Sequence, residues 1–189
     1  MCAVFVCSTV SIHMALVHVV PFAILVGINR TAAAGALALI GGISIMGRII
    51  MGSSAERLGF NLPLVISSGM CAAMFAWLPG VQSMRMLYLF AAVYGFFYGA
   101  RVPQTSGLIG YFFPGKNLAT IFSTITAISS AGGMLGPIIG GLVYDQTQSY
   151  QVALIIGASL WAISATLAYF LKAPQKIGAN TDEIGTKQV

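Results

Sequence analysis

Apolar residues run along this chain in blocks of helix length, covering about 3–26, 32–52, 62–80, 86–113, 118–143 and 150–171. Short polar or turn-forming joints separate them: Gly27-Ile28-Asn29-Arg30, residues 53–61, residues 80–85, Pro114-Gly115-Lys116-Asn117, and residues 145–149. Crossing roughly 30 Å of hydrocarbon takes about 20 apolar residues in a helix. Without water in that layer, only helices and closed barrels satisfy their own backbone. The pattern therefore predicts an all-α membrane protein with a six-helix transmembrane domain over 1–172. From Ala173 to Val189 the chain turns polar, with Pro174, Asn180, Asp182 and Glu183, which predicts a tail in water.

Composition removes the soluble alternative. Of 189 residues, 58% are hydrophobic and 7% charged, against about 25% charged in a globular domain; mean hydropathy is +0.90. Nine Lys/Arg, four Asp/Glu and two His form no basic tract, so no nucleic-acid partner is expected. Cys2, Cys7 and Cys71 sit in apolar runs without metal-type spacing, which predicts neither a disulfide framework nor a metal site. The acids lie at span ends or in the tail, where no carboxylate pair can work inside the membrane. With no phosphate-cradling glycine loop either, neither an enzyme, a cofactor nor ATP coupling is expected.

The net charge of +5 then speaks to topology. With a cytoplasmic tail and six spans, Arg57, Lys116, Lys172, Lys176 and Lys187 fall inside, with Arg48 close by, and Arg30 and Arg85 fall outside. The positive-inside rule favours that arrangement, with both termini cytoplasmic. Read alone, the first span prefers the reverse, because no Lys or Arg precedes it and Arg30 follows. A start at Met1 directly inside a span leads us to expect a segment upstream. The expected location is the plasma membrane, or the inner membrane of a bacterial cell.

A weak repeat is visible. Gly52-x-x-x-Glu56 ends the second span and Gly141-x-x-x-Asp145 the fifth, each the middle helix of a three-helix group, in opposite orientations. Two matched positions suit either an inverted repeat or coincidence.

The segment Gly47-Arg48-x-x-x-Gly52-x-x-x-Glu56-Arg57-x-Gly59 resembles the G-x-x-x-D/E-R-x-G loop signature of the major facilitator superfamily. Gly132-x-x-x-Gly136-Pro137-x-x-Gly140-Gly141 resembles that superfamily's glycine-proline motif, with Ser123 where an earlier glycine is usual. Ala91 replaces the arginine that marks an N-terminal half. With His18-Val-Val-Pro21, Tyr94-Gly95-Phe-Phe-Tyr98-Gly99 and Asp145-x-Thr147-x-Ser149-Tyr150, the chain resembles helices seven to twelve of the monocarboxylate porter and oxalate/formate antiporter branch. The resemblance implies half of a facilitator fold, built of two inverted three-helix repeats. It also implies a secondary carrier of small organic anions such as monocarboxylates, working by alternating access within a twelve-helix protein. In that reading Arg48, Gly52, Glu56, Arg57 and Gly59 gate one facing state. Leu25 and Ser44 stand where many relatives carry acids, so an intramembrane Asp–Arg pair is absent.

Arg101 is the one charge deep in a span, where insertion costs about 2.5–3.5 kcal/mol. Tyr94, Tyr98, Arg101 and Thr105 follow at i, i+4, i+7 and i+11, one face of a helix. A planar donor fork between phenols suits a carboxylate; the other reading is a snorkelling arginine. His18 shares a stripe with Ser8, Ser11 and Ala15. It suits either proton relay in a symport cycle or a hydrogen bond to a neighbouring helix. His13, on the opposite side, is expected to pack between helices. Gly132, Gly136, Pro137, Gly140 and Gly141 are expected to let two helices approach closely and bend. Expected partners are a small organic anion, a proton, membrane lipid, and either a missing N-terminal six-helix half or a second copy. The alternative is a truncated, non-transporting half or a membrane interaction subunit that needs a second half.

Overall fold

The computed structural model describes residues 1–59, 61–113, 115 and 117–171, and of residues 55–58 the backbone alone. The tail expected over 173–189 and the side chains of Glu56 and Arg57 lie outside the described residues. The helices are α1 (Cys2–Leu25), α2 (Arg30–Leu58), α3 (Asn61–Trp77), α4 (Met84–Gly99), α5 (Arg101–Phe112), α6 (Leu118–Thr147) and α7 (Gln151–Phe170), with a 3₁₀ turn at Leu78–Gly80. Five of them are each long and apolar enough to cross a membrane. The sixth rod is α4 followed directly by α5, so the span expected over 86–113 is one rod with an interruption at Ala100. Pro103 accounts for the break: it has no N–H to give the Gly99 carbonyl one turn back.

Local chemistry sets the other boundaries. The Asn29 Oδ1 accepts from the Thr31 N–H at 2.8 Å and starts α2. Gly59 ends it at φ +81°, a conformation that costs a side chain dearly. Ser83 caps α4 through the Met86 N–H at 3.4 Å.

Packing follows a symmetric plan. The most extensive contacts are α1 with α6, α2 with α4, and α3 with α7. Exchanging the first three rods for the last three leaves that set unchanged. The weak repeat supplies the register, because aligning Gly52 with Gly141 puts Gly47 opposite Gly136. A methyl group at Gly47 would overlap the Phe96 carbonyl of α4, and one at Gly136 the Val10 carbonyl of α1. Each middle helix thus lays a glycine against the first rod of the other group, as an inverted repeat requires. Gly95 and Gly99 extend the α2–α4 seam against the backbone of Ile40 and Ser44.

The core contains Met14, Phe75, Phe90, Tyr94 and Trp161, each essentially inaccessible. Large apolar side chains also cover the outside, including Ile45, Met46 and Ile49 on α2 and Met134, Ile138 and Leu142 on α6. That inside-and-outside hydrophobicity belongs to a multi-pass membrane protein, in which lipid replaces water as solvent.

Candidate functional site: a cleft walled by Arg101

From Gly132 outward α1 and α6 are pressed together: Gly132 meets Val6, Gly136 meets Val10 and Met14, and Gly140 meets His18. Beside this seam a cleft of ≈ 280 Å³ opens between α1, α4–α5 and α6. Arg101, Tyr98 and Thr105 line it from one wall, and Phe5, Thr9 and His13 from α1. Phe122, Thr126, Ser129 and Ser130 of α6 close the far wall. The volume lies near the lower end of small-molecule sites, so this half offers room for a small solute.

Arg101 is 5% exposed and turns into the bundle instead of toward a headgroup layer. Its Nη1 donates to Ser68 Oγ at 3.3 Å and its Nη2 to Ser8 Oγ. The guanidinium carbon lies 5.4 Å from the Phe5 ring centroid and 5.5 Å from that of Trp161. Hydrogen bonds to a charged donor contribute about 1.5–3 kcal/mol each and a desolvated cation–π contact up to about 2 kcal/mol. Together these offset the cost of holding the cation within the membrane. They do not neutralise it, and no carboxylate bonds it among the described residues. Around it, Tyr94 Oη, Gln104 Nε2 and Trp161 Nε1 are buried without a hydrogen-bond partner among the described residues. Gln104 Oε1 is satisfied, accepting from Ser67 Oγ at 2.9 Å.

The structure divides the residues singled out by sequence. Arg101, Tyr98 and Thr105 come together on the cleft, where Thr105 Oγ1 donates to the Arg101 carbonyl at 2.7 Å. Tyr94 lies behind them in the core, stacked on Phe90 at 5.2 Å and on Tyr98 at 6.1 Å between centroids. His18 is not brought to the cleft. Its Nε2 donates to the Pro137 carbonyl at 3.0 Å, and its Nδ1 faces Tyr150 Oη at 3.4 Å, so it ties α1 to α6 and the α6–α7 turn. His13, expected to pack between helices, lies against Gly133 of α6 and also lines the cleft with an exposed side chain.

The remaining candidates sit elsewhere. Arg48 is exposed on α2, and the Ser44 hydroxyl donates to the Gly41 carbonyl at 2.6 Å. Gly52 lies beside Pro103 of α5, and Gly59 ends α2. Gly132, Gly136 and Gly140 are in the α1–α6 seam beside Pro137, whereas Gly141 faces open space. Ser8, Ser68, Trp161 and Phe5 around Arg101 escaped the sequence reading. Ser8 alone carried a signal, its place on the stripe with Ser11.

The sequence profile of the Major Facilitator Superfamily matches residues 1–188. The chain belongs to that family. Within it, the chain is similar to monocarboxylate transporter 12 of Rattus norvegicus, 26% identical over 168 residues covering 85% of this chain and 34% of the relative. The Homo sapiens protein of that name is 26% identical over 164 residues, covering 82% and 31%. A fungal relative, MFS transporter asaE of Aspergillus flavus, is 23% identical over 168 residues, covering 84% and 38%. The chain thus spans about a third of the length of these curated relatives, all of which are named as transporters. A facilitator half of two inverted three-helix groups is what the seams of α2–α4 and α1–α6 display.

Proposed function

We propose that this chain forms one six-helix half of a secondary carrier for small organic anions, with monocarboxylates as the cargo. The observation that carries the reading is Arg101, a residue lining a small cleft whose guanidinium has, among the described residues, neutral hydroxyls and aromatic rings as partners. A cation held in that way has an unspent preference for an anion, and its planar fork matches a carboxylate in two-point contact. The names of the mammalian relatives point the same way. Tyr98 and Thr105 shape the wall beside the anion, and Tyr94 backs Tyr98 from the core.

The cleft has helices of this chain on three sides. A second six-helix half, joined or separate, supplies the fourth and rocks against this one in an alternating-access cycle. In the proposed topology both termini are cytoplasmic in the plasma membrane, and Arg48 with Glu56 and Arg57 at the end of α2 stabilises one facing state on that side. A half-size subunit that pairs with another copy is the competing arrangement. Crosslinking in native membranes separates the two by the mass of the crosslinked species.

Uptake by the full-length protein in proteoliposomes tests the anion site. Arg101→Gln should abolish saturable carboxylate uptake. Arg101→Lys, which keeps the charge and loses the fork, should leave less than about a tenth of it, since a hydrogen bond to a charged group contributes about 1.5–3 kcal/mol. Unchanged uptake of every carboxylate in Arg101→Gln would remove the proposal.

A further inference from the structure

The cleft carries a second polar cluster, away from Arg101, whose hydrogen-bonding capacity is uncommitted. Hydroxyls on membrane helices ordinarily bond their own backbone one turn back, and most on α6 do: Ser123 donates to Ala119, Thr124 to Thr120 and Ser129 to Ile125, at 2.7–2.8 Å. Thr126 and Ser130 make no such bond among the described residues, and neither does Thr9 on the facing helix; all three residues line the cleft. Beside them His13 Nδ1 lies 2.9 Å from the Thr9 carbonyl. A carbonyl only accepts, so Nδ1 carries the proton, and in the neutral ring Nε2 is left as a lone-pair acceptor. The ring is seated over Gly133, where a methyl group would come within 2.8 Å of Nδ1, so the position is built for it.

We infer that His13, with Thr9, Thr126 and Ser130, forms a second subsite that accepts a hydrogen bond from the far end of the cargo. The cargo is then a monocarboxylate bearing a distal donor, a hydroxyl or an amide N–H, in place of a plain alkyl acid. This rests on the carboxylate reading of Arg101. Ser8, which holds Arg101, and His13 are five residues apart on α1, about 7.5 Å along its axis. The apolar side chains of Phe5, Ile12 and Ile125 line the cleft with these two polar ends and suit the aliphatic stretch of such a cargo. The charged and titratable groups on the cleft are Arg101, Tyr98 and His13; α6 contributes none among the described residues. With no acid there, the subsite favours an uncharged donor over an ammonium group.

The test compares 6-hydroxyhexanoate with hexanoate as competitors of carboxylate uptake by the full-length protein. One added neutral hydrogen bond predicts a preference of about fivefold for the hydroxy acid. In His13→Leu, and independently in the double variant Thr126→Val with Ser130→Ala, the preference should fall to near one. His13→Gln, which keeps an acceptor, should retain part of it. Equal competition in the unmodified protein, or a preference that survives both sets of substitutions, would overturn the subsite alone. If neither acid competes and Arg101→Gln changes nothing, the carboxylate reading fails and the subsite with it.

Discussion

The two glycine seams, α2 against α4 and α1 against α6, follow one plan and end in different chemistry. Along α2–α4, Gly47, Gly95 and Gly99 each lie where a methyl group would strike the partner's backbone. Along α1–α6, Gly132, Gly136 and Gly140 are met as closely by α1, yet a cleft lined by Thr9, His13, Thr126, Ser130 and Arg101 opens beside the seam. A repeat supplies the scaffold twice, and the seam with the cleft beside it is where Thr9, Thr126 and Ser130 make no hydrogen bond to their own backbone among the described residues. The proposed anion site lies where the two seams depart from symmetry.

The largest way to break it is to wedge the closed seam. Gly99→Leu must drive a side chain into the Ser44 backbone, and overpacking of this kind costs about 1–3 kcal/mol or more. The expected outcome is loss of most folded protein from detergent-solubilised membranes by size-exclusion fluorescence. Gly141→Ala on α6, which meets nothing, should change the thermal midpoint by no more than about 0.5 kcal/mol equivalent.

A smaller effect sharpens the open side. Ser8→Ala and Ser68→Ala each remove an acceptor from the Arg101 guanidinium, a bond of about 1.5–3 kcal/mol. Each should lower carboxylate affinity about threefold to tenfold by loosening the fork, with the larger effect at Ser8. Equal uptake kinetics in both variants would mean that the fork is not held by these hydroxyls.

Much of the fold was legible because a membrane imposes long apolar runs; each expected run holds a helical rod, although α2 continues to Leu58, past the expected end at 52. The interruption at Ala100 was not, since Pro103 within an apolar run signals a bend as readily as a break. The candidate site was legible in part. Arg101 stood out because an isolated charge in hydrocarbon is costly. Of the two readings open for His18, the hydrogen bond to a neighbouring helix is the one observed, and His13 packs against Gly133 of α6 while also lining the cleft. The stripe of Ser8, Ser11 and His18 looks like a polar pathway, yet in a bundle it faces inward to satisfy its neighbours: Ser11 Oγ donates to the Gly157 carbonyl at 3.0 Å and His18 to that of Pro137. The cleft face mixes Phe5, Thr9 and Ile12 with His13, and such a mixture has no periodic signature. Trp161 and Ser68 reach Arg101 only through the tertiary packing of α7 and α3, which no local pattern encodes.

Substrate protection at the cleft tests the central claim most directly. With Cys2, Cys7, Cys71 and any cysteine outside this chain replaced by alanine in the full-length protein, Thr105→Cys places one thiol on the cleft wall beside Arg101. A carboxylate cargo should slow its alkylation severalfold, and adding Arg101→Gln should abolish the protection. Alkylation of Thr105→Cys at the same rate with and without carboxylate, in protein that still transports, would contradict the account.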